Sequence, residues 1–441
     1  MSQHKTVTNS TLPESDAPDP EPLWQRHPTL LAAWCIVSAF GTYACMYGFR
    51  KPFTAALYID DPSTPGLKAS LIASQVLGYT VSKMVGIRVI AGMPTRRRIQ
   101  TLLALIAVAE TAWILLGVVP SNLAVACLFL NGLPLGMVFG LVLGFLEGRR
   151  LSEAFIAGLC CSFIVADGLA KTVGLRLLEA GVPERWMPAV AGAIFALPLL
   201  GFTAMLSRIP PPSGLDVAAR SDRSPLQRHE QWEFLRRHGG IVLLITLAYA
   251  LVTLLRSVRA DFSRELWKAL GDPGDPSVFT RSEFWVALGV LIPMGLLSRI
   301  ADNRRAFLTG LALSCLGLSM VLAASLLWRW KAIGAFAFMV SIGVGLYLPY
   351  IAVHATLFER LIAITRHRAN LGFLMYVADT AGYLGVCGVL LTRGFLATGD
   401  GFLPLFLDGS LMISSLAILA LVLAGIWMQH RHALRPSPRS P

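Results

Sequence analysis

Apolar stretches recur along the whole chain, and charged residues, proline or glycine separate them. Each stretch is about 20 residues long, which as a helix matches the roughly 30 Å hydrocarbon thickness of a bilayer. The pattern predicts twelve membrane-spanning helices, near residues 30–50, 69–91, 99–119, 122–147, 152–175, 186–206, 239–260, 279–299, 306–328, 332–358, 369–393 and 402–428. We therefore expect an all-α membrane protein.

A polar segment rich in arginine and proline divides the predicted helices into six and six. The expected parts are a disordered cytosolic tail at 1–28, an N-terminal six-helix bundle at 29–206, a cytosolic linker at 207–238, a C-terminal six-helix bundle at 239–430 and a cytosolic tail at 431–441. The first 28 residues have neither the basic start nor the apolar core of a signal peptide.

Composition agrees with a membrane protein, since 55% of the 441 residues are hydrophobic and 15% are charged. The net charge of +12 does not indicate a nucleic-acid partner, because the basic residues lie in short loops instead of on one continuous face. Most of these loops fall on one side, whereas the opposite loop predicted at 259–281 is nearly balanced. The positive-inside rule then predicts that both termini lie in the cytoplasm. We expect a multi-pass protein of the plasma membrane, the inner membrane of a bacterium.

Sequence motifs give no support for enzyme chemistry. All seven cysteines lie within apolar runs and outside the spacings of metal or redox sites, so we expect core residues and neither a metal nor a cofactor. HExxH, GxSxG and P-loop patterns are absent from the sequence. We therefore expect a protein that is not an enzyme.

Lys83 lies about fourteen residues into the second apolar run, too deep to reach either interface by snorkelling. A charge near the bilayer centre costs about 2.5–3.5 kcal/mol, so such residues are candidates for function. We interpret Lys83 as a substrate-binding residue in preference to a structural ion pair.

Arg50 follows the first apolar run and taken alone could be an interfacial residue. However, Tyr43, Tyr47 and Arg50 are spaced i, i+4, i+7, which places two phenols and a guanidinium on one helical stripe. This spacing predicts that the three side chains share a cavity.

The same spacing recurs on the first helix after the linker, at Tyr249, Thr253 and Arg256. Two halves related by an axis along the membrane normal bring these two helices together at a central site. Arginine binds phosphate or carboxylate through two parallel hydrogen bonds and stays charged. A phosphate ester of charge about −1.5 to −2 matches two arginines, and Lys83 would complete the neutralisation.

Other polar residues within apolar runs are secondary candidates. Asp167 and Lys171 have the i, i+4 spacing of an intrahelical ion pair, which we favour over a proton-coupling role. Three roles are open for each of the remaining candidates: a proton relay, a partner for an arginine, or a packing hydrogen bond. These candidates are Glu110, His354 and Asp379.

Several segments resemble the organophosphate:phosphate antiporters of the major facilitator superfamily. The most specific is GTYACMYGFRKPFTAAL in the first helix, with its two tyrosines four residues apart and Arg-Lys-x-Phe. GYTVSKMVG in helix 2 and TLLRSVRADFSRELW in helix 7 are similar to the family patterns. AVHATLFE in helix 10 and AGYLGV in helix 11 match in type and order.

The resemblance implies the major facilitator fold, alternating access and exchange of the substrate for phosphate. It also implies that Arg50 and Arg256 clamp the substrate phosphate and that Lys83 supports it. The tyrosines implied to line the cavity are Tyr43, Tyr47, Tyr79 and Tyr383.

The chain also departs from that family. The family has a histidine on helix 5, where this chain offers Cys161, Ser162, Phe163 and Ile164. The Gly-x-x-x-Asp-Arg loop after helix 2 is missing, with Ile90 where the aspartate is expected. Because of these differences, the resemblance does not extend to substrate specificity or to gating.

We therefore expect a secondary transporter of a small organic anion that functions as a monomer in the lipid bilayer. Two alternatives stay open. One is a transport-inactive anion sensor. The other is a membrane enzyme acting on a lipid phosphate, with Asp167, Lys171 and His354 as acid–base candidates.

Overall fold

A computed structural model describes residues 28–58, 66–90, 93–146, 152–210, 228–271, 275–365, 371–392 and 401–433. The predicted tails, apart from residue 28 and the helical residues 431–433, and the middle of the predicted linker lie outside these residues. Twelve long helices are present in the described part: α1 (Pro28–Gly48), α2 (Leu67–Ile90), α3 (Thr95–Val118), α4 (Ala124–Leu146), α5 (Ser152–Glu179), α6 (Met187–Ser207), α7 (Arg228–Asp261), α8 (Ser277–Leu297), α9 (Asn303–Arg329), α10 (Ala335–Ala352), α11 (Leu371–Leu391) and α12 (Phe402–Ala433).

Ten helices of the described part are long and apolar enough to cross a membrane. The other two, α2 and α5, carry charged residues inside their apolar sequence, such as Lys83 and Asp167. Large apolar side chains point outward from the helices, for example Leu197, Leu243 and Leu316. Such an outer surface suits lipid, and the prediction of an all-α membrane protein is confirmed.

The helices pack as two groups of six. In the first group α1 packs against α5 and α6, and α4 against α2 and α3; in the second α7 packs against α11 and α12, and α9 against α10 and α12. The groups meet where α2 packs against α11 and where α5 packs against α8. The two helices that fall short of a simple membrane span are therefore the first group's contribution to the interface.

The two ends of the molecule can be told apart. Trp34, near the start of α1, donates a hydrogen bond from Nε1 to the carbonyl of Met205 near the end of α6 (3.0 Å). Trp427, near the end of α12, lies against Gly240 near the start of α7. These helix ends share one side, which we call the linker side; we call the opposite side the far side.

Close packing of α2 on α4 depends on glycine. A Cβ atom added at Gly132 would lie 2.1 Å from the carbonyl oxygen of Gln75, and one at Gly136 would lie 2.5 Å from that of Tyr79. Without side chains at these positions the two backbones approach closely, as is usual between helices in lipid. The contact fixes the positions of Gln75 and Tyr79 relative to α4.

Helix bounds differ from the sequence prediction mainly around α7. This helix begins at Arg228 instead of near 239, because a polar sequence can continue the helical hydrogen bonds in water. It also extends to Asp261, so that Arg259 and Asp261 are buried helical residues instead of loop residues. Both have charged partners outside α7: Glu283 on α8 for Arg259, and Lys51 just after α1 for Asp261. A short helix, Ser263–Ala269, follows.

Helix α10 also departs from a regular helix. It runs through one π-helical turn, Val353–Leu357, into a further α-helical segment, Phe358–Thr365. Pro349 lies one turn before the π-helical turn and leaves the helix without one backbone donor. Such turns widen a helix locally and are frequent at functional sites. His354 lies within this one.

Candidate functional site

A cavity of about 370 Å³ lies between the two groups of helices, and both groups contribute to its wall. Its lining reaches from Lys51 and Asp261, at the far-side ends of α1 and α7, to Arg98 and Gly144 at the linker-side ends of α3 and α4. The cavity therefore extends toward the linker side.

The seven residues predicted to bind substrate all line this cavity: Arg50, Arg256, Lys83, Tyr43, Tyr47, Tyr79 and Tyr383. Among the secondary candidates, His354 and Asp379 also line it. The other four lie outside its lining: Tyr249, Asp167, Lys171 and Glu110.

Arg50 is held by the way α1 ends. The helix stops at Gly48, and the carbonyl groups of the next two residues receive side-chain donors. Trp113 Nε1 and Asn131 Nδ2 donate to the carbonyl of Phe49 (2.6 and 3.1 Å), and Gln75 Nε2 donates to that of Arg50 (3.0 Å). These buried groups from α2, α3 and α4 fix the backbone from which the Arg50 side chain enters the cavity.

Both arginines lie over tyrosine rings of their own half. The guanidinium carbon of Arg50 is 4.0 Å from the ring centre of Tyr79, and that of Arg256 is 4.3 Å from the ring centre of Tyr350. The Nε atoms of both arginines are buried without a hydrogen-bond partner, and within the described residues no carboxylate lies within ion-pair distance of either. The rings orient the guanidinium groups but leave their hydrogen-bond donors available.

Lys83 has an ion-pair partner. Its Nζ atom lies 2.5 Å from Asp379 Oδ2, so the pair joins α2 to α11 across the interface. The other oxygen of Asp379 accepts a hydrogen bond from the Tyr249 hydroxyl (2.5 Å) and lies 3.4 Å from His354 Nε2. The sequence left two alternatives for Lys83, a substrate ligand and a structural ion pair. In the structure Lys83 lines the cavity and also forms an ion pair.

Charged side chains close the cavity on its far side. Lys51, just after α1, pairs with Asp261 at the end of α7. Lys171 pairs with Asp167 on α5 and also donates to the carbonyl of Ala260 on α7. Asp167 and Lys171 therefore form the ion pair that their spacing predicts, and that pair contacts the other half.

The same buried layer includes a third pair. Arg259 Nη2 lies 2.9 Å from Glu283 on α8 and donates to the carbonyl of Met339 on α10 (2.9 Å). Nearer the far side, the hydroxyl groups of Thr172 on α5 and Thr280 on α8 are 2.8 Å apart. The halves are thus in contact through polar groups on the far side of the cavity.

Glu110 lies neither in the cavity lining nor in the layer of ion pairs on its far side. Its Oε2 atom is buried without a hydrogen-bond partner, and it lies against Gly192 on α6, within the first half. The carboxylate lies where α3 meets α6, away from the cavity lining.

Sequence reasoning missed several residues of the site. Tyr350 supports Arg256, and its ring also stacks on His354 with the ring centres 4.9 Å apart. Tyr347, Tyr350 and His354 are spaced i, i+3, i+7, so the stripe argument used for α1 and α7 also applies to α10. The sequence prediction leaves out Lys51 and Asp261 because it places Lys51 after the end of a helix and Asp261 in the loop at 259–281.

The electrostatic balance of the lining follows from these pairs. Each carboxylate of the lining, Asp261 or Asp379, is paired with a lysine. The charges of Arg50 and Arg256 are left without a counterion in the described part of the lining. The cavity is therefore suited to an anion. In the described residues no group of three or more histidine, cysteine or acidic side chains is placed to hold a metal ion.

Comparison with solved structures identifies the fold. The chain is similar to the crystal structure of a D-xylose–proton symporter, with a TM-score of 0.58 and 15% identity over 90% of this chain and 96% of that one. It is also similar to a bacterial homologue of the human lysosomal transporter Spinster in an inward-facing, unoccupied conformation, with a TM-score of 0.56 and 14% identity over 93% and 99% of the two chains. These similarities show the major facilitator fold.

Sequence comparison places the chain in a family. No curated protein matches it in sequence. One family model, described as a family of unknown function (DUF5690), matches residues 52–431. Because the match covers most of the chain and includes the cavity residues of both halves from Lys83 to Tyr383, the protein belongs to this family of unknown function, DUF5690.

Proposed function

We propose that the protein is a secondary transporter that binds a small organic anion, most specifically a phosphate ester, between its two halves and carries it by alternating access. The observation that carries this proposal is the pair of arginines, Arg50 and Arg256, in one cavity without a carboxylate partner in the described residues. The fold of the neighbouring structures supports transport, and one of those neighbours is a symporter.

The charge of the anion follows from the cost of burying two guanidinium groups. Neutral donors and aromatic rings reduce that cost but do not cancel it. A dianion would cancel it and would also accept two parallel hydrogen bonds from each guanidinium group. A phosphate monoester carries about −1.5 to −2 near pH 7, which matches two arginines.

Ion pairs on the far side of the cavity support alternating access. They hold the two halves together there, whereas the cavity lining continues to the linker side. The residues of these pairs are Lys51, Asp261, Asp167 and Lys171. Opening the far side requires these pairs to separate as the halves rock about the central site. By the positive-inside rule the linker side is cytoplasmic, so the conformation described here is the inward-facing one.

Exchange with inorganic phosphate is the transport mode that the resemblance to organophosphate antiporters implies. A physical reason supports it: the empty cavity would carry two unpaired arginines through a closed intermediate, which is costly in low dielectric. Reorientation is therefore faster with an anion bound at each crossing.

The proposal is tested with the purified protein in liposomes loaded with inorganic phosphate. We expect uptake of at least one of glycerol 3-phosphate, glucose 6-phosphate and 3-phosphoglycerate, and we expect Arg50→Gln and Arg256→Gln each to abolish it. Arg329→Gln is the matched control, because Arg329 is exposed and pairs with Asp408 at the surface.

Three results would overturn the proposal. Uptake that is equal in all four proteins would remove the two arginines from the site. Anion binding without uptake would select a sensor. Conversion of a lipid phosphate without vectorial uptake would select an enzyme.

A further inference from the structure

His354 lies between two hydrogen-bond acceptors. Its Nδ1 atom is 3.3 Å from the carbonyl oxygen of Tyr350, and its Nε2 atom is 3.4 Å from Asp379 Oδ1. Each acceptor also has another donor, the Tyr249 hydroxyl for Asp379 and the backbone N–H of Val353 for Tyr350. A neutral imidazole carries one N–H group, so it can donate to one of these acceptors but not to both. Both contacts of the ring become hydrogen bonds at the same time only when one further proton is present on the ring or on the carboxylate.

The rest of the environment does not supply that proton. Lys83 from α2 occupies Asp379 Oδ2, and the Tyr249 hydroxyl from α7 already donates to Oδ1. The rings of Tyr249 and Tyr350 lie 5.2 and 4.9 Å from the His354 ring and cover it.

The remaining ionisable groups near this cluster have other contacts. Tyr79 on α2 and Tyr383 on α11 lie beside Lys83, with its Nζ atom 5.2 and 5.1 Å from their ring centres. Arg256, on α7, stacks on the other ring that flanks His354, that of Tyr350. Asp167 and Lys171 on α5 pair with each other.

The helical segment Phe358–Thr365, which also packs against α11, carries Glu359 and Arg360. Arg360 donates to Asn303 (2.8 Å). Asp379 is thus the carboxylate that faces His354.

Charge balance decides when the extra proton binds. In the empty cavity Lys83 and Asp379 cancel, whereas Arg50 and Arg256 leave an excess of positive charge. One more positive charge at the cluster would add to that excess in a site of low dielectric, which carries an electrostatic cost. A bound dianion neutralises the charges of the two arginines, so the electrostatic cost of the added proton falls.

We propose that His354 and Asp379 form a proton-binding site whose occupancy is linked to the anion in the arginine site, so that a proton is bound and carried together with the anion. The proposal rests on the proposed anion site. It is compatible with exchange, since a proton would accompany the anion in each direction. Linkage is reciprocal, so the anion must bind more tightly where protons are more abundant.

The test is proton uptake on anion binding, measured without transport. The detergent-solubilised protein is titrated with glycerol 3-phosphate, glucose 6-phosphate and 3-phosphoglycerate at pH 8 in buffers of different ionisation enthalpy. The ester phosphate is already a dianion there, because its second pKa is about 6. We expect the wild-type protein to take up as much as about one proton per anion bound, and its affinity to fall by up to about tenfold per pH unit as the pH rises further.

The variants separate the proton site from the anion site. In His354→Gln and Asp379→Asn the number of protons taken up per anion bound should fall to zero and the pH dependence of affinity should flatten, whatever the size of the affinity itself. His430→Gln, at the exposed end of α12, is the matched control and should keep both.

Two outcomes overturn the inference. Unchanged proton uptake in both His354→Gln and Asp379→Asn refutes it, and so does anion binding by the wild-type protein without proton uptake; the proposed function survives either result. If none of the three esters binds to the wild-type protein, the proposed phosphate-ester site fails and the linkage fails with it.

Discussion

Arg50 and Arg256 have corresponding environments in the two halves. The guanidinium carbon of Arg50 lies 4.0 Å from the ring centre of Tyr79, and that of Arg256 lies 4.3 Å from the ring centre of Tyr350. Neither arginine lies within ion-pair distance of a carboxylate in the described residues. Arginines that were purely structural would be expected to have such partners. The correspondence therefore supports the proposed anion site.

Replacing either arginine with lysine tests whether the geometry of the guanidinium group matters beyond its charge. Arg50→Lys and Arg256→Lys keep the positive charge but lose the two parallel hydrogen bonds to one phosphate group. We expect affinity for the transported ester to fall by about tenfold or more, which corresponds to about 1.4 kcal/mol. Affinity is measured by calorimetry on the purified variants. Unchanged affinity in both would mean that the arginines act only as point charges.

Local periodicity accounts for what could be predicted of the site. The spacing of Tyr43, Tyr47 and Arg50 fixes their common direction because helical geometry relates neighbours along the chain. The fold class was predictable for a similar reason, since the length of an apolar run is a local property.

Partners far apart in the sequence could not be predicted. Lys83 and Asp379 are separated by 296 residues, and only the packing of α2 against α11 brings them together. Lys51 and Asp261 were hidden for a further reason: an ion pair between two helix ends makes each charge tolerable, so each residue looks like an ordinary boundary.

Glycine packing between α2 and α4 should set the position of Tyr79 and Gln75. Gly132→Ala places a Cβ atom against the carbonyl of Gln75, where the available distance is only 2.1 Å. We expect a loss of stability of about 1–3 kcal/mol, with weakened anion binding because the backbone near Arg50 shifts. Thermal unfolding in detergent measures the first effect and calorimetry the second.

Gly201→Ala is the matched control for this substitution. Gly201 lies inside α6, and a Cβ atom there meets nothing within 4 Å. Because alanine has the higher helix propensity, this variant should be unchanged or more stable by up to about 1 kcal/mol. Equal effects of the two substitutions would contradict the packing argument.

A disulfide between α5 and α8 should lock the far side. The hydroxyl oxygens of Thr172 and Thr280 are 2.8 Å apart, so cysteines at both positions are close enough to be bridged. We expect oxidised Thr172→Cys/Thr280→Cys to lose uptake in liposomes and to regain it after reduction, because α5 and α8 must separate for the far side to open. Each single variant serves as the control. Full uptake by the quantitatively cross-linked protein would show that this face does not open.

The ion pair between Lys83 and Asp379 should show strong coupling in a double-mutant cycle. Removing one partner leaves the other charge buried, which for a fully buried pair costs about 3–5 kcal/mol. The cost should be smaller here because 20% of the Lys83 side chain is exposed and because His354 offers Asp379 a second cation when protonated. We therefore expect Lys83→Met and Asp379→Asn each to lower the unfolding temperature in detergent, and the double variant to be more stable than the sum of the single effects predicts. Additive single effects would show that the contact between Lys83 and Asp379 contributes no net energy.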